Sequence, residues 1–219
     1  MSKFTLLTLP PSPNNVKVRL ALKLKGLPYE AKEFTFENRD EVIEKSGQPL
    51  TPVLLDGDRV VYDSFGILRY LDANWPEPRL FSDSREGQQE IQAWERFAIG
   101  EVGASLGPLI GSFLSGTDDP EVNAQVQAAF DELPGKVEEA LGDSPYLGGA
   151  APNAADITVA PFFAFSAAEP TDFPEGSPGR FAAERCNLGD QFPRTRAWIG
   201  RVMAIDATEA GGKAAVAGA

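Results

Sequence analysis

Residues 51–71 read TPVLLDGDRVVYDSFGILRYL and contain the signals for two strands, a tight turn and a helix. The pair Asp56-Gly57 separates two short apolar runs and predicts a hairpin with a type I′ turn, because Gly supplies the positive φ that this turn needs. Asp63-Ser64 predicts the N-terminus of a helix. The apolar residues that follow lie on a helical period: Phe65, Ile67, Leu68 and Leu71. The stretch therefore predicts two antiparallel strands followed by a helix.

The preceding residues predict a strand, a helix and a second strand. Residues 3–9 (KFTLLTL) form an apolar run that Pro10-Pro11 ends. Ser12 followed by Pro13 is typical of a helix N-terminus, and this helix ends at Gly26. Residues 29–36 (YEAKEFTF) alternate, and they predict a strand parallel to the first, with the helix as the crossover.

A polar helix is predicted at about residues 39–45, so the order is βαβ, α, ββα. Two prolines within residues 74–84 predict a linker. We therefore expect two domains, one over residues 1–76 and an all-helical one over residues 85–219.

The second domain contains three helical segments by its pattern. The first covers about residues 85–114, with Gly100, Gly103, Gly107 and Pro108 loosening its later part, and the second covers about 120–141 with an interruption at Pro134. The third begins at Asn153, which can cap the helix while Asp156 answers from the third position. The last ten residues, 210–219, are expected to fray.

Composition excludes several classes of function. The chain has no histidine, which removes imidazole bases and ligands, and its one cysteine, Cys186, permits no internal disulfide. We therefore expect no metal site and a reducing, soluble compartment such as the cytoplasm. No uninterrupted apolar run approaches the roughly 18 residues of a membrane span.

The excess of negative charge lies in the second part of the chain. The net charge is −12, yet residues 1–80 hold 11 basic and 11 acidic residues, against 9 and 21 in residues 81–219. This balance argues against nucleic acid or an anionic membrane as the main partner. A neutral first domain can accept an anionic ligand that the second domain would repel, although an acidic surface is more often only a means of solubility.

Three stretches resemble motifs of the cytosolic glutathione transferases. They are SPNNVKVRLALKLKGLPYE (12–30), residues 51–71 and YLGGAAPNAADITVAP (146–161). The resemblance is to the Ser-type, phi-, theta- or zeta-like members. It implies a thioredoxin-like α/β domain followed by an all-α domain, and a cytoplasmic homodimer that acts in detoxification with glutathione as cosubstrate.

The chain departs from the family pattern in two places. Pro49 stands where the family usually has Gly, and Asp63-Ser64-Phe65-Gly66 replaces the family's Glu-Ser-x-Ala. Compared with the family that the chain resembles, these two departures imply a different shape for the loop around Pro49 and a lowered affinity for glutathione.

The resemblance assigns the activation of glutathione to the start of the first helix. A thiol with a pKa near 8.5 is mostly protonated at neutral pH, so an enzyme must stabilise the thiolate. A hydroxyl at a helix N-terminus can donate to it, and Ser12 occupies that place, although a plain N-cap explains the same residue. Asn14 or Asn15 could donate an amide N–H instead.

Six residues are expected to bind glutathione by the same resemblance. Pro52 corresponds to the family's cis-proline, which presents the backbone of Thr51 to the cysteinyl unit. Asp63 and Ser64 hold the γ-glutamyl ammonium and carboxylate, although helix capping alone explains both. Lys45 and Gln48 are candidates for the remaining carboxylate.

The second substrate is expected to be an apolar electrophile or an organic peroxide, bound between the domains. Phe97, Glu101 and Ser105 are its predicted contacts, whereas core packing is favoured for Trp94. Two alternatives stay open: a glutathione-dependent isomerase, and a non-catalytic binding or scaffold protein of the same fold.

Overall fold

The computed structural model describes residues 4–10 and 12–206, so the predicted fraying of residues 210–219 lies outside it. The strands are β1 (Phe4–Thr8), β2 (Tyr29–Glu33), β3 (Val53–Asp56) and β4 (Arg59–Tyr62). The helices are α1 (Pro13–Leu24), α2 (Asp40–Ser46), α3 (Ser64–Asn74), α4 (Arg85–Phe97), α5 (Ala104–Ser115), α6 (Pro120–Glu132), α7 (Pro134–Leu141), α8 (Ala154–Phe163), α9 (Pro178–Ala183) and α10 (Pro193–Met203). The chain divides into two compact units, residues 1–82 and 83–219.

The first unit contains a four-stranded sheet in the order β2-β1-β3-β4. β1 is parallel to β2 and antiparallel to β3, and β3 is antiparallel to β4. The predicted order βαβ, α, ββα is therefore confirmed. β2 is shorter than predicted, since it ends at Glu33. One more backbone hydrogen bond follows it, from the N–H of Phe34 to the carbonyl of Thr8 at 2.9 Å.

The hairpin between β3 and β4 has a different turn from the predicted one. Asp56 pairs with Arg59, so the two central residues are Gly57 and Asp58. Gly57 has a φ of 59°, whereas Asp58 has no positive φ. A type I′ turn needs positive φ at both positions and a type II′ turn only at the first. The type I′ prediction is therefore wrong, and the φ values are those of a type II′ turn.

Both faces of the sheet are covered. Leu7 and Val53 lie in a buried cluster with Phe34 and with Val42 of α2. Because side chains alternate along a strand, Leu6 and Leu54 face the other side, where α1 and α3 pack against each other. This α/β layering is the predicted thioredoxin-like arrangement.

A buried lysine holds the C-terminal segment of the first unit in place by hydrogen bonds. The ammonium of Lys25 donates to Asp72 Oδ1 at 2.8 Å and to the carbonyls of Trp75 and Pro78 at 2.6 and 2.9 Å. Asp72 also accepts the N–H of Leu80 at 2.8 Å. Residues 75–80, which the sequence predicts as linker, are therefore held against the first unit, and that unit extends beyond residue 76 to residue 82.

The second unit is all helical within its described residues. The predicted helix 85–114 is observed as α4 and α5, joined by a π-helical turn at Ala98–Gly103, and Pro108 lies inside α5. The predicted interruption at Pro134 separates α6 from α7. At α8, Asn153 accepts the N–H of Ala155, and Asp156 accepts that of Asn153, so the predicted capping box is confirmed.

The segment Arg85–Ser115 forms one continuous helical run of 31 residues. Its most apolar window has a mean hydropathy of 1.4, which is sufficient by length and composition to cross a bilayer. Glu101 and several glycines divide this segment, so it contains no uninterrupted apolar run of that length. Ile99, Ile110 and Leu114 on it are exposed.

Candidate functional site

Most of the predicted site residues lie at one edge of the sheet in the first unit. Leu7 pairs with Val53 and Val53 with Tyr62, so β1 and β4 end where β3 begins. α1 and α3 start just after β1 and β4, at the same edge. Helix N-termini with unpaired backbone N–H groups attract anions, and the N-termini of α1 and α3 both lie at this edge.

Ser12 occupies the N-cap position of α1 without capping it. Its backbone is extended, its carbonyl accepts the N–H groups of Asn15 and Val16 at 2.9 and 3.0 Å, and its side chain makes no capping hydrogen bond. Pro13 fills the first helical position. The residue is half-buried. The helix therefore does not use the hydroxyl of Ser12, which could serve a ligand at the surface.

The two neighbouring asparagines have different surroundings. Asn14 is half-buried, and its Oδ1 lies 3.4 Å from the hydroxyl of Ser64, which donates to it. Asn15 is completely buried, and its Oδ1 accepts the N–H of Leu9 at 3.1 Å. Its Nδ2 has no hydrogen-bond partner among the described residues. Burial removes Asn15 from contact with a ligand at the surface, so Asn14 is the better placed amide.

The loop before β3 is held by its own side chains. The Thr51–Pro52 peptide bond is cis, and Thr51 Oγ1 accepts a long hydrogen bond of 3.4 Å from the guanidinium of Arg39. Gln48 accepts the N–H of Leu50 at 2.6 Å and donates to its carbonyl at 2.9 Å. The amide of Gln48 is thus used to fix the loop.

Lys45 and Arg39 are the basic side chains near this loop. Lys45 is exposed and pairs with Glu44 at 3.0 Å, and the hydrogen bond that its ammonium donates to Glu44 raises the pKa of that ammonium. Arg39 is half-buried, and burial lowers the pKa of its guanidinium. Arg39 could not be chosen from sequence, because its proximity to Thr51 depends on how α2 packs.

The residues at the start of α3 combine a cap with an unusual backbone. Asp63 has a φ of 65° and is the one residue other than glycine with a positive φ in the described chain. Its carboxylate is exposed and accepts the N–H of Gly66 at 3.1 Å, so the predicted capping is confirmed. Such a backbone is uncommon outside glycine and is often found at functional sites. Ser64 beside it is buried.

Lys17 is a site residue that the sequence analysis missed. Its side chain is completely buried, its ammonium donates to Ser64 Oγ at 3.1 Å, and the same ammonium lies 3.6 Å from the centre of the Phe65 ring. A charged residue among the buried positions of α1, with Leu20 and Ala21 one turn further on, was the available signal.

The predicted contacts of the second substrate lie in the second unit, and two of them, Phe97 and Glu101, contact the same side chain, Lys136. Phe97 is buried and packs tilted against Phe163, with ring centres 6.3 Å apart. Glu101 pairs with Lys136, and the hydroxyl of Ser105 donates to the carbonyl of its own helix at 2.7 Å. Phe97 is therefore a core residue, whereas Trp94, for which core packing was favoured, is only half-buried.

A separate open concavity of about 660 Å³ lies at the other ends of β3 and α3. Its polar groups bond to each other, since the hydroxyl of Tyr70 donates to Asp56 at 2.6 Å and Asn74 donates to the carbonyl of Tyr70 at 2.8 Å. Predicted site residues are not among its lining residues. The described residues contain no group of three acidic, cysteine or histidine side chains placed to hold a metal ion.

Two protein-family models match the chain. The model for the glutathione S-transferase N-terminal domain matches residues 6–79, and the model for the C-terminal domain matches residues 91–201. Together they cover most of the chain.

Curated relatives include several plant proteins. A probable glutathione S-transferase, GSTU1, of Oryza sativa subsp. indica is 28% identical over 207 residues, which cover 89% of this chain and 83% of that protein. Glutathione S-transferase Z1 of Arabidopsis thaliana is 44% identical over 70 residues, which cover 29% of this chain and 31% of that protein.

Solved structures share the fold over almost the whole chain. A glutathione S-transferase from Rhodospirillum rubrum F11 has a TM-score of 0.76 at 22% identity and covers 92% of this chain and 88% of its own. A family member from Pseudomonas fluorescens pf-5, solved with two glutathione bound, has a TM-score of 0.71 at 25% identity, with 93% and 89% covered. Maleyl pyruvate isomerase, a bacterial zeta-class member, has a TM-score of 0.71 at 22% identity, with 93% of both chains covered.

Proposed function

The chain belongs to the glutathione S-transferase family and is a glutathione transferase, and from this premise we propose that Ser12 activates the thiol of bound glutathione. The observation that supports this role is the hydroxyl of Ser12, which stands at the N-terminus of α1 and makes no capping bond. A hydroxyl that the helix does not use can donate to a thiolate, and the positive end of the helix dipole stabilises the same charge.

The cysteinyl unit of glutathione binds along the loop before β3. In this proposal the cysteinyl unit pairs with the backbone of Thr51, next to Pro52, as an added antiparallel strand would. Arg39, whose guanidinium donates to Thr51 Oγ1, and Lys45 are the candidate cations for the glycyl carboxylate. Gln48 acts on the ligand through the loop, because its amide bonds to Leu50.

The γ-glutamyl end binds at the start of α3. The exposed carboxylate of Asp63 pairs with the ammonium of the ligand, and the N-terminal N–H groups of α3 with the hydroxyl of Ser64 bind its carboxylate. Capping does not exclude this role, since Asp63 uses one oxygen for Gly66 and keeps acceptor capacity on the other.

The thiolate attacks an apolar electrophile or reduces an organic peroxide. An isomerase that regenerates glutathione needs the same thiolate, and the fold shared with maleyl pyruvate isomerase keeps that reaction as the second candidate. Cytoplasmic location and a role in detoxification belong to the same proposal and rest on the family.

A homodimer is part of the proposal. Large apolar side chains are exposed in both units: Leu50 in the first, and Ile99, Ile110 and Leu114 in the second. Burying them against a second copy would remove apolar surface from water. Light scattering at micromolar concentration should give twice the mass of the chain, and a monomer would contradict the dimer.

Calorimetry with glutathione, followed by turnover assays, tests the function. We expect saturable heat of binding, and glutathione-dependent turnover of an aryl halide or of cumene hydroperoxide. Isomerisation of maleyl pyruvate without net use of glutathione would favour the second candidate. Binding without any turnover would indicate a non-catalytic member, and absence of binding would refute the proposal.

A further inference from the structure

We propose that Lys17 is a positioning residue that commits the hydroxyl of Ser64 to donate to a carboxylate, and so makes the start of α3 selective for that group. The inference rests on the proposed binding of the γ-glutamyl end at this helix. It gives a function to the buried ammonium of Lys17, which has no part in the proposed chemistry.

The direction of the hydrogen bond carries the argument. An ammonium has three donors and no acceptor, whereas a serine hydroxyl has one donor and two lone pairs. At 3.1 Å from Lys17 Nζ, the oxygen of Ser64 must therefore accept, and its own proton must point elsewhere. Lys17 thus occupies one lone pair of this hydroxyl and keeps its single proton free to be donated away from the ammonium, to an acceptor on the ligand.

The proton of Ser64 has a weak acceptor when no ligand is present. Oδ1 of Asn14 lies 3.4 Å away, at the long end of hydrogen-bond distances. A carboxylate accepts from a hydroxyl at about 2.5–2.7 Å, and such a bond is roughly twice as strong as one between neutral groups. A ligand carboxylate should therefore displace Asn14 as the acceptor.

The surroundings of Lys17 hold its charge in place. The side chain is completely buried, and the ammonium lies 3.6 Å from the centre of the Phe65 ring, whose face attracts a cation. A fixed positive charge on the far side of Ser64 also attracts a carboxylate directly, because screening by water is weak in the interior. Donor direction and charge thus favour the same ligand group.

The test compares three thiol ligands by calorimetry. Glutathione carries both charges at its γ-glutamyl end, glutaryl-Cys-Gly lacks the ammonium, and 4-aminobutyryl-Cys-Gly lacks the carboxylate. We expect Lys17→Met to weaken glutathione and glutaryl-Cys-Gly by a similar factor of about 10 to 100, the value of a hydrogen bond to a charged group. The already weak binding of 4-aminobutyryl-Cys-Gly should change less than threefold.

A double-mutant cycle with Ser64 tests whether Lys17 acts through that hydroxyl. Ser64→Ala and Lys17→Met together should weaken glutathione by clearly less than the product of the single effects. Lys17→Arg keeps a donor-only cation and should retain most of the preference for the carboxylate. Lys23→Met, the same change on the same helix, is the matched control and should alter the three affinities by less than threefold.

The outcomes separate this inference from the proposed function. If the wild type binds none of the three ligands, both are wrong. If it binds glutathione but Lys17→Met weakens all three ligands equally, or changes none, Lys17 has no positioning role. Should Lys17→Met melt below the assay temperature, Lys17→Gln replaces it, because an amide lets Ser64 donate or accept and should lose the same preference for the carboxylate.

Discussion

Replacing Lys25 by methionine should release residues 75–80 from the first unit at a large cost in stability. The change keeps the length of the side chain but removes its charge and three hydrogen bonds, to Asp72, Trp75 and Pro78. The side chain of Lys25 is completely buried and that of Asp72 is 13% exposed. The variant therefore leaves a nearly buried carboxylate and two carbonyls without their cation.

The magnitude follows from what remains around Asp72. Removing one partner of a buried ion pair costs about 3–5 kcal/mol. Because Asp72 still accepts the N–H groups of Leu80 and Phe81 and touches solvent, we expect the lower end, about 3 kcal/mol. For a chain of this size that loss corresponds to a melting temperature lower by about 6–12 °C.

The assay is thermal unfolding followed by circular dichroism and by the fluorescence of tryptophan, which includes Trp75 beside the lost contact. The matched control is Lys32→Met, which breaks an ion pair with Glu41 at the surface, where Lys32 is 51% exposed. Exposed pairs contribute up to about 1 kcal/mol. Equal melting temperatures for Lys25→Met and Lys32→Met would refute the reasoning, whereas partial recovery in Lys25→Met combined with Asp72→Leu would support it.

Three further predictions concern single side chains. Ser12→Ala should raise the pKa of the bound thiol by about one unit or more, read from thiolate absorbance, and an unchanged titration that moves instead in Asn14→Ala would transfer the role to the amide. The hydrogen bond from Arg185 holds the pKa of Asp118 at about 2, below its unfolded value of about 3.9, so the stabilisation present above pH 4 should be lost as the pH falls toward 2. The melting difference between wild type and Asp118→Asn should shrink over that range, and a constant difference would contradict the assignment. Burial raises the pKa of the Cys186 thiol to about 12, so Ellman's reagent should label it only after unfolding in urea, and rapid labelling of the folded protein would disprove this.

Local signals made much of the fold predictable. The hairpin depends on Gly57 between two apolar runs, and the cap of α8 depends on Asn153 and Asp156, three residues apart. Such features are decided by neighbouring residues, so a sequence contains them directly. The exact turn type was not predictable in this way. An aspartate such as Asp58 tolerates both positive and negative φ, and the pairing of β3 with β4 determines which of the two it adopts.

Contacts between distant segments could not be predicted. Lys17 reaches Ser64, and Lys25 reaches Asp72, across 47 residues in each case, and both pairs exist because α1 packs against α3. The burial of Asn15 depends in the same way on the loop after β1. Phe97 was chosen as a substrate contact from its place on a helix, but packing against Phe163 from α8 puts its ring in the core.

The positive φ of Asp63 affects which substitutions at this position evolution should favour. A positive φ in a residue with a side chain costs of order 1–3 kcal/mol, and glycine would avoid that cost while losing only a few tenths as a helix cap. Selection on folding alone should therefore replace Asp63 by glycine. Purifying selection for the carboxylate is what would keep an aspartate here, so in lineages where ligand binding has been lost this position should be among the first in the unit to change.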